Sequence, residues 1–195
     1  MPDSAPERAE TPSPLRRSGL RERVAGEILA AAARVLAASG DGASMNDVAA
    51  AAGIARGTLY RYFPTRSALV ERLRELALED AGSRLTAARV DQVDPLEGLE
   101  RTIRTFVDMG EVFVVAARER GRPGGAAFET SITKPLRTLI ERAQAASAIR
   151  GDMDPAWLSE ALLGLIVAGT AAAQLGKDDT VASIRQLFLD GARER

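Results

Sequence analysis

Between Ser44 and Pro64 the chain reads SMNDVAAAAGIARGTLYRYFP, two short segments of helical patterning on either side of one glycine and closed by a proline. Ser44-Met45-Asn46-Asp47 pairs a serine that caps backbone N–H groups with a carboxylate three positions on that offsets the helix dipole. The helix begun there runs through alanines to Gly53. A second, from Ala55, ends at Tyr62 or Phe63, because Pro64 cannot continue it. Two short helices joined by a tight turn containing glycine describe a helix-turn-helix, whose second helix enters the major groove of DNA. Such helices cross closely, which the small Ala49 and Ala52 permit, while Val48, Ile54, Leu59 and Tyr62 supply inward apolar contacts. Arg56, Thr58, Tyr60 and Arg61 are then left near the outward face, and Gly57 lets the backbone approach a surface closely.

The flanking sequence is helical throughout. Val24, Ile28, Leu29, Ala32, Val35 and Leu36 recur at three- and four-residue spacing, which predicts a helix from near Leu20 to Ser39-Gly40. Thr65 is placed to cap a long helix from Arg66 to about Gly82. Apolar periodicity then resumes over Pro95 to about Arg118, Lys134 to about Ile149 and Pro155 to about Leu175. A last helix carries Val181, Ile184, Leu187 and Phe188. GRPGG at 121–125, GDMD at 151–154 and GKDD at 176–179 have turn chemistry. No segment alternates β-branched residues as a strand would, so the expected fold is all-α. Residues 1–18 hold four prolines and few large apolar side chains, and are expected to be a disordered tail.

Composition narrows the chemistry. The 195 residues include no cysteine and no histidine, which removes disulfides, thiol nucleophiles, imidazole bases and thiolate or imidazole metal sites. A carboxylate-only site for a hard cation stays open, with Asp152, Asp154, Asp178 and Asp179 as its acids, although aspartates at turns and helix starts have an ordinary capping role. The expectation is a protein without catalytic residues, metal or cofactor. The longest apolar run, Ala161 to Ala173, is shorter than a membrane span, and the N-terminus lacks the apolar core of a signal peptide, so a soluble cytoplasmic protein is expected. The formal net charge is −1, yet Leu15 to Glu75 holds ten arginines, no lysine and six acidic residues, a local +4. A basic block of this kind suits a partner with phosphates, and equally a solvated surface.

With the helix before it, MNDVAAAAGIARGTLYRYFPTRSALVERL resembles the DNA-binding domain of the tetracycline-repressor (TetR) family of transcriptional regulators, over about residues 20 to 75. Its motif is Gly53-Ile54, Gly57-Thr58-Leu59-Tyr60, then Tyr62-Phe63 and a basic residue three positions later, Arg66. The resemblance implies a helix-turn-helix domain at 19–64 and a helical ligand-binding and dimerisation domain at 65–195. It further implies a homodimer that binds double-stranded operator DNA and represses transcription until a small-molecule effector releases it. Carried over by position, Arg56, Gly57 and Thr58 would meet base edges, Tyr60, Arg61 and Tyr62 would meet phosphates and bases, Ser44 and Asn46 would touch backbone or a base, and Arg66 would contact phosphate. Tyr62 is equally suited to the core. The chain departs from the family at Ala55, where serine is common as the recognition-helix cap. Arg16, Arg17, Arg21 and Arg23 extend the basic character upstream.

Residues 155–190 would, on this resemblance, form the subunit interface through Leu158, Leu162, Leu165, Ile166, Gly169, Ile184, Leu187 and Phe188. The small residues Gly164, Ala168, Gly169, Ala172 and Ala173 would permit close approach. An effector cavity would lie within the middle helices, lined by Phe106, Met109, Phe113, Leu136, Ile140 and Trp157, with Arg118, Glu119, Arg120 and Arg122 near a polar ligand group or on a loop. The alternative is a helix-turn-helix regulator that needs no ligand and answers to a protein partner, which a fully packed regulatory half would favour.

Overall fold

The computed structural model of the protein describes residues 14–121, 125–172 and 175–192, the backbone alone for 14–18. The first helix, α1 (Pro14–Ser39), begins at Pro14 instead of near Leu20. Proline is no barrier there, since its fixed φ suits the first helical position, where no partner for its missing N–H is needed. Residues 1–13 of the expected tail lie outside the described residues, and 14–18 are helical. A short 3-10 turn (Gly40–Gly42) leads to α2 (Met45–Ala51), α3 (Arg56–Tyr62) and α4 (Arg66–Ala87). Thr65 caps α4 as expected, accepting from Ala68 N at 3.1 Å.

The segment read as one helix over 95–118 is two, α5 (Pro95–Met109) and α6 (Glu111–Arg118). Gly110 separates them with φ of 61°, a left-handed conformation that turns the chain and that a residue with a Cβ would adopt only under strain. The short α7 (Gly125–Phe128) runs into a π-helix (Glu129–Thr133) and then α8 (Lys134–Ala145). α8 stops short of Ile149 because Ser147 takes φ of 54° and Ala148 N closes back on Ala143 O at 2.9 Å. Asp154 caps α9 (Pro155–Ala172), accepting from Ala156 N at 2.6 Å, and α10 (Lys177–Ala192) completes the described chain. No strand occurs among the described residues, and the fold is all-α.

Two apolar cores result. The N-terminal one joins Ile28 and Leu36 of α1, Val48 of α2, Leu59 of α3 and Leu69, Val70 and Leu73 of α4. The larger one takes Ala77 and Ala81 from the other end of α4 and buries Phe106, Phe128, Leu162, Ile166 and Ile184. The expected boundary at 64/65 therefore falls before a helix that both cores share. α6 is shared as well: Val114 and Val115 enter the N-terminal core, while Phe113, Ala116 and Ala117 enter the larger one.

α9 carries the apolar run that begins at Ala161. Counting from Pro155, the helix has 18 residues at a mean hydropathy of 1.4, long and apolar enough to cross a membrane by length and composition alone. One face of α9 is buried in the larger core through Leu158, Leu162, Leu163 and Ile166.

Candidate nucleic-acid interface and regulatory face

Local chemistry builds the helix-turn-helix. Ser44 and Asp47 form a reciprocal cap: Ser44 Oγ accepts from Asp47 N at 3.2 Å, and Asp47 Oδ2 accepts from Ser44 N at 2.9 Å and from Ser44 Oγ at 2.7 Å. These Ser44 hydrogen bonds, side chain first, hold the Asp47 carboxyl below its ordinary value. The turn is made by Gly53 at φ 64°, where Gly53 N donates to Ala50 O and Ile54 N to Ala49 O, both at 3.1 Å. α3 opens at Ala55 with no side-chain cap, as the sequence requires. Leu59 is fully buried, a contribution of about 1.5–3 kcal/mol for such a side chain, and fixes how α3 lies on α1 and α2.

The recognition-helix residues are thereby sorted. Arg56, Gly57 and Arg61 are exposed, and Thr58, Tyr60 and Tyr62 are half-buried. A Cβ placed on Gly57 would meet nothing within 4 Å, so that backbone is open to whatever docks on it. Arg56 Cζ lies 5.3 Å from the centre of the Tyr60 ring, and Arg61 Cζ lies 5.9 Å from that of Tyr62. Tyr62 also receives Arg21 of α1, at 5.8 Å. These cation–π contacts are worth about 0.5–1 kcal/mol each at exposed sites. They pair guanidinium forks with phenol rings on α3 and between α1 and α3, a donor set suited to phosphate oxygens and to guanine O6 and N7. Asn46 and Ser44 are exposed at the start of α2.

Arg66, expected at a phosphate, is engaged within the protomer. Its Nη2 donates to Gly40 O at 3.3 Å and stands 3.8 Å from Asp41 Oδ1, so the guanidinium is turned to the end of α1, where a phosphate contact would have to displace both. It lines a 240 Å³ cleft with Leu36, Val115 and Arg118. Arg118, read from the sequence as lying near a polar ligand group or on a loop, ends α6 and turns to α1 instead, its Nη1 donating to Ala37 O at 2.5 Å. A bond from a side chain to a carbonyl 81 positions away leaves no local signature.

In the larger core, Phe106, Phe113, Leu136 and Ile140 are buried, with Phe106 stacked on Phe113; Met109 is buried too, at the edge of a 240 Å³ surface cleft with Gly169 and Thr180. Trp157 is not among them. It is 58% exposed, on the outer face of α9, beside a groove it shares with Leu165, Leu187 and Gly191. Arg120 pairs with Glu160 of α9 at 2.6 Å, and Arg122 lies outside the described residues.

The expected interface residues also divide. Leu158, Leu162, Ile166, Ile184 and Phe188 are consumed by the protomer's own core. Gly169 faces α10, where a Cβ would come within 3.0 Å of Ile184 Cδ1. Leu165, half-buried, and Leu187, 65% exposed, remain outward with Trp157, Gly164, Ala168 and Ala172. Two apolar faces on α9 made the assignment ambiguous in sequence, and the seating of α10 decides it; Ala173 lies outside the described residues. The aspartates serve as caps and ion pairs: Asp152 accepts from Arg150 at 2.5 and 2.6 Å, and Asp178 from Arg104 at 2.6 Å.

An all-α chain whose N-terminal helix-turn-helix presents arginines and tyrosines, joined to a larger helical half, defines a DNA-binding transcription regulator of the two-part helical class. Residues 28–73 match the family described as bacterial regulatory proteins, tetR family. The HTH-type transcriptional repressor LfrR of Mycolicibacterium smegmatis is 30% identical over 169 residues, 84% of this chain and 86% of that protein. The HTH-type transcriptional regulator NfxB of Pseudomonas aeruginosa is 26% identical over 159 residues, 77% of this chain and 84% of that one. The crystal structure of LfrR in complex with proflavine superposes with a TM-score of 0.70 at 26% identity, covering 91% of this chain and 100% of that one. The chain belongs to the TetR family of transcriptional regulators.

Proposed function

We propose that this regulator is a cytoplasmic repressor that binds a two-fold operator as a homodimer and leaves it when a small molecule occupies the larger half. The observation that carries the reading is the sharing of α4: Leu69, Val70 and Leu73 pack in the N-terminal core and Ala77 and Ala81 in the larger one, so strain at one end reaches the other along a single helix. The reading head is residues 19–64, the regulatory half 65–195, and α4 belongs to both. Arg56, Gly57 and Thr58 read base edges; Tyr60, Arg61, Tyr62, Ser44 and Asn46 fix the helix on the backbone. The outward Trp157, Leu165 and Leu187 pair with a second copy, which closes an apolar face that carries Glu160 at its rim.

An aromatic or amphipathic effector is favoured by the phenylalanine cluster and by the proflavine complex of the similar LfrR structure. Moving from mostly bound to mostly released requires a differential affinity of ~10⁴-fold, or ~5.5 kcal/mol. By reciprocity, operator DNA weakens effector binding by the same factor. The test is a calorimetric titration with proflavine in the presence and absence of operator. Weaker binding to the operator complex supports release, and equal binding or none counts against this effector class.

A second reading is a ligand-independent DNA-binding regulator controlled by a protein partner, for which the full burial of Phe106, Phe113 and Ile140 speaks. Under it, operator affinity is unchanged by every effector tested.

A further inference from the structure

Between the recognition helix and the larger core the chain has one further bracing point, at the C-terminal end of α1. The last turn of a helix leaves carbonyls without intrahelical partners and carries the negative end of the dipole. Two arginines from other elements converge on that end, one on the last turn of α1 and one on the 3-10 turn that follows it. Arg118 Nη1, from the end of α6, donates to Ala37 O at 2.5 Å, and Arg66 Nη2, from the first turn of α4, donates to Gly40 O at 3.3 Å. Both line the cleft bounded by Leu36 and Val115, so the two bonds grip neighbouring carbonyls across one small gap. α6 itself is short, is freed from α5 by the left-handed Gly110, and plugs Val114 and Val115 into the N-terminal core. Apolar contacts of that kind hold distance but tolerate sliding and rotation, whereas a charged donor on a carbonyl fixes direction.

From this geometry we infer that Arg118 is a positioning residue for DNA recognition: its bond to Ala37 O fixes the orientation of α1 on α6, and with it the separation and rotation of the two recognition helices in the dimer. Arg118 touches no base or phosphate in this role. It sets which half-site spacing the protein accepts, while the residues on α3 set which bases it reads. The inference rests on the dimeric reading proposed above.

The experiment measures binding of the full chain to its selected operator and to operators with one or two base pairs inserted or removed between the half-sites. Wild type, Arg118→Ala and Arg118→Lys are compared, each checked for folding by circular dichroism and thermal melting. One inserted pair shifts and rotates one half-site against the other, so wild type is expected to lose on the order of 100-fold per inserted pair, as for a mismatched site. Arg118→Ala is expected to bind the best spacing within roughly fivefold of wild type but to lose no more than about tenfold on insertion. Arg118→Lys, which keeps a charged donor, recovers most of the discrimination. A merely destabilised protein would weaken all spacings alike. Wild-type discrimination that Arg118→Ala leaves intact overturns the inference and spares the dimeric reading, whereas equal binding of wild type to every spacing overturns both.

Discussion

Phe106 and Phe113 stack with ring centroids 4.3 Å apart and planes 7° from parallel, one from each side of the Gly110 break. The break makes the stack possible: a continuous helix would keep residues seven apart nearly in register on one face, about two turns or ~10 Å away from each other along the axis. Phe128 adds a tilted third ring at 6.3 Å from Phe113. Phe113→Ala therefore removes a fully buried ring with two aromatic neighbours, and should cost ~3–5 kcal/mol of stability. Urea unfolding followed by circular dichroism checks it; a loss below about 1 kcal/mol would mean that the three rings are not a packed unit.

Gly57→Ala should separate folding from function. In the free protein the added methyl meets nothing, and replacing a helical glycine with alanine is worth up to about 1 kcal/mol in helix propensity. If α3 is the reading helix as proposed, the same methyl would stand between backbone and duplex. The variant is expected to melt no lower than wild type while binding operator more weakly, and undiminished binding would remove Gly57 from the contact surface.

The arginines should differ in kind. Arg56→Ala is expected to cost ~1–3 kcal/mol of operator affinity and to relax preference at one base pair of each half-site. Arg66→Ala should leave the salt dependence of DNA binding unchanged, because its guanidinium is held by Gly40 O and Asp41. A salt slope flattened by about one phosphate in the Arg66 variant would restore it to the DNA surface.

Acid should loosen the start of α2. The folded-state pKa of Asp47 is depressed below 3.8 by its Ser44 hydrogen bonds, so the unfolded chain binds a proton first as pH falls. The stabilisation is present above the ordinary carboxylate range and is lost as pH falls through the lower folded value. Asp47→Asn should accordingly be less stable than wild type at neutral pH and show a shallower fall of melting temperature between pH 4 and about pH 2. Parallel melting curves for the two proteins across that range would remove the capping carboxylate from the account.

Leu187→Asp tests the apolar face. Leu187 is 65% exposed, so a charge there disturbs the protomer little but is unpaired and desolvated if a second copy covers it. Sedimentation should show weakened self-association with an unchanged circular dichroism spectrum. An unaltered dimer would move the interface elsewhere.

The N-terminal half was legible because its signals are local. The Ser44–Asp47 cap, the Gly53 turn and the Pro64 stop each act within a few residues, and the structure holds each in the expected place. The break at Gly110 was hidden by apolar periodicity that continues on both sides of it. Trp157, Leu187 and Gly169 were ambiguous because α9 is apolar on more than one face, and only the packing of α10 tells inner from outer. The partners of Arg66 and Arg118 were illegible for a different reason: each arginine bonds a backbone carbonyl, an acceptor that every residue carries and no sequence pattern marks.

The most direct test of the account is selection of bound sequences from random duplex DNA by the full chain, with Arg56→Ala run in parallel. A two-fold symmetric motif is predicted, its half-sites about one helical turn or ~34–36 Å apart, with one position per half-site losing its preference in the Arg56 variant. Recovery of no enriched motif, or of a motif that Arg56→Ala reads identically, would contradict the assignment of α3 as the reader of DNA.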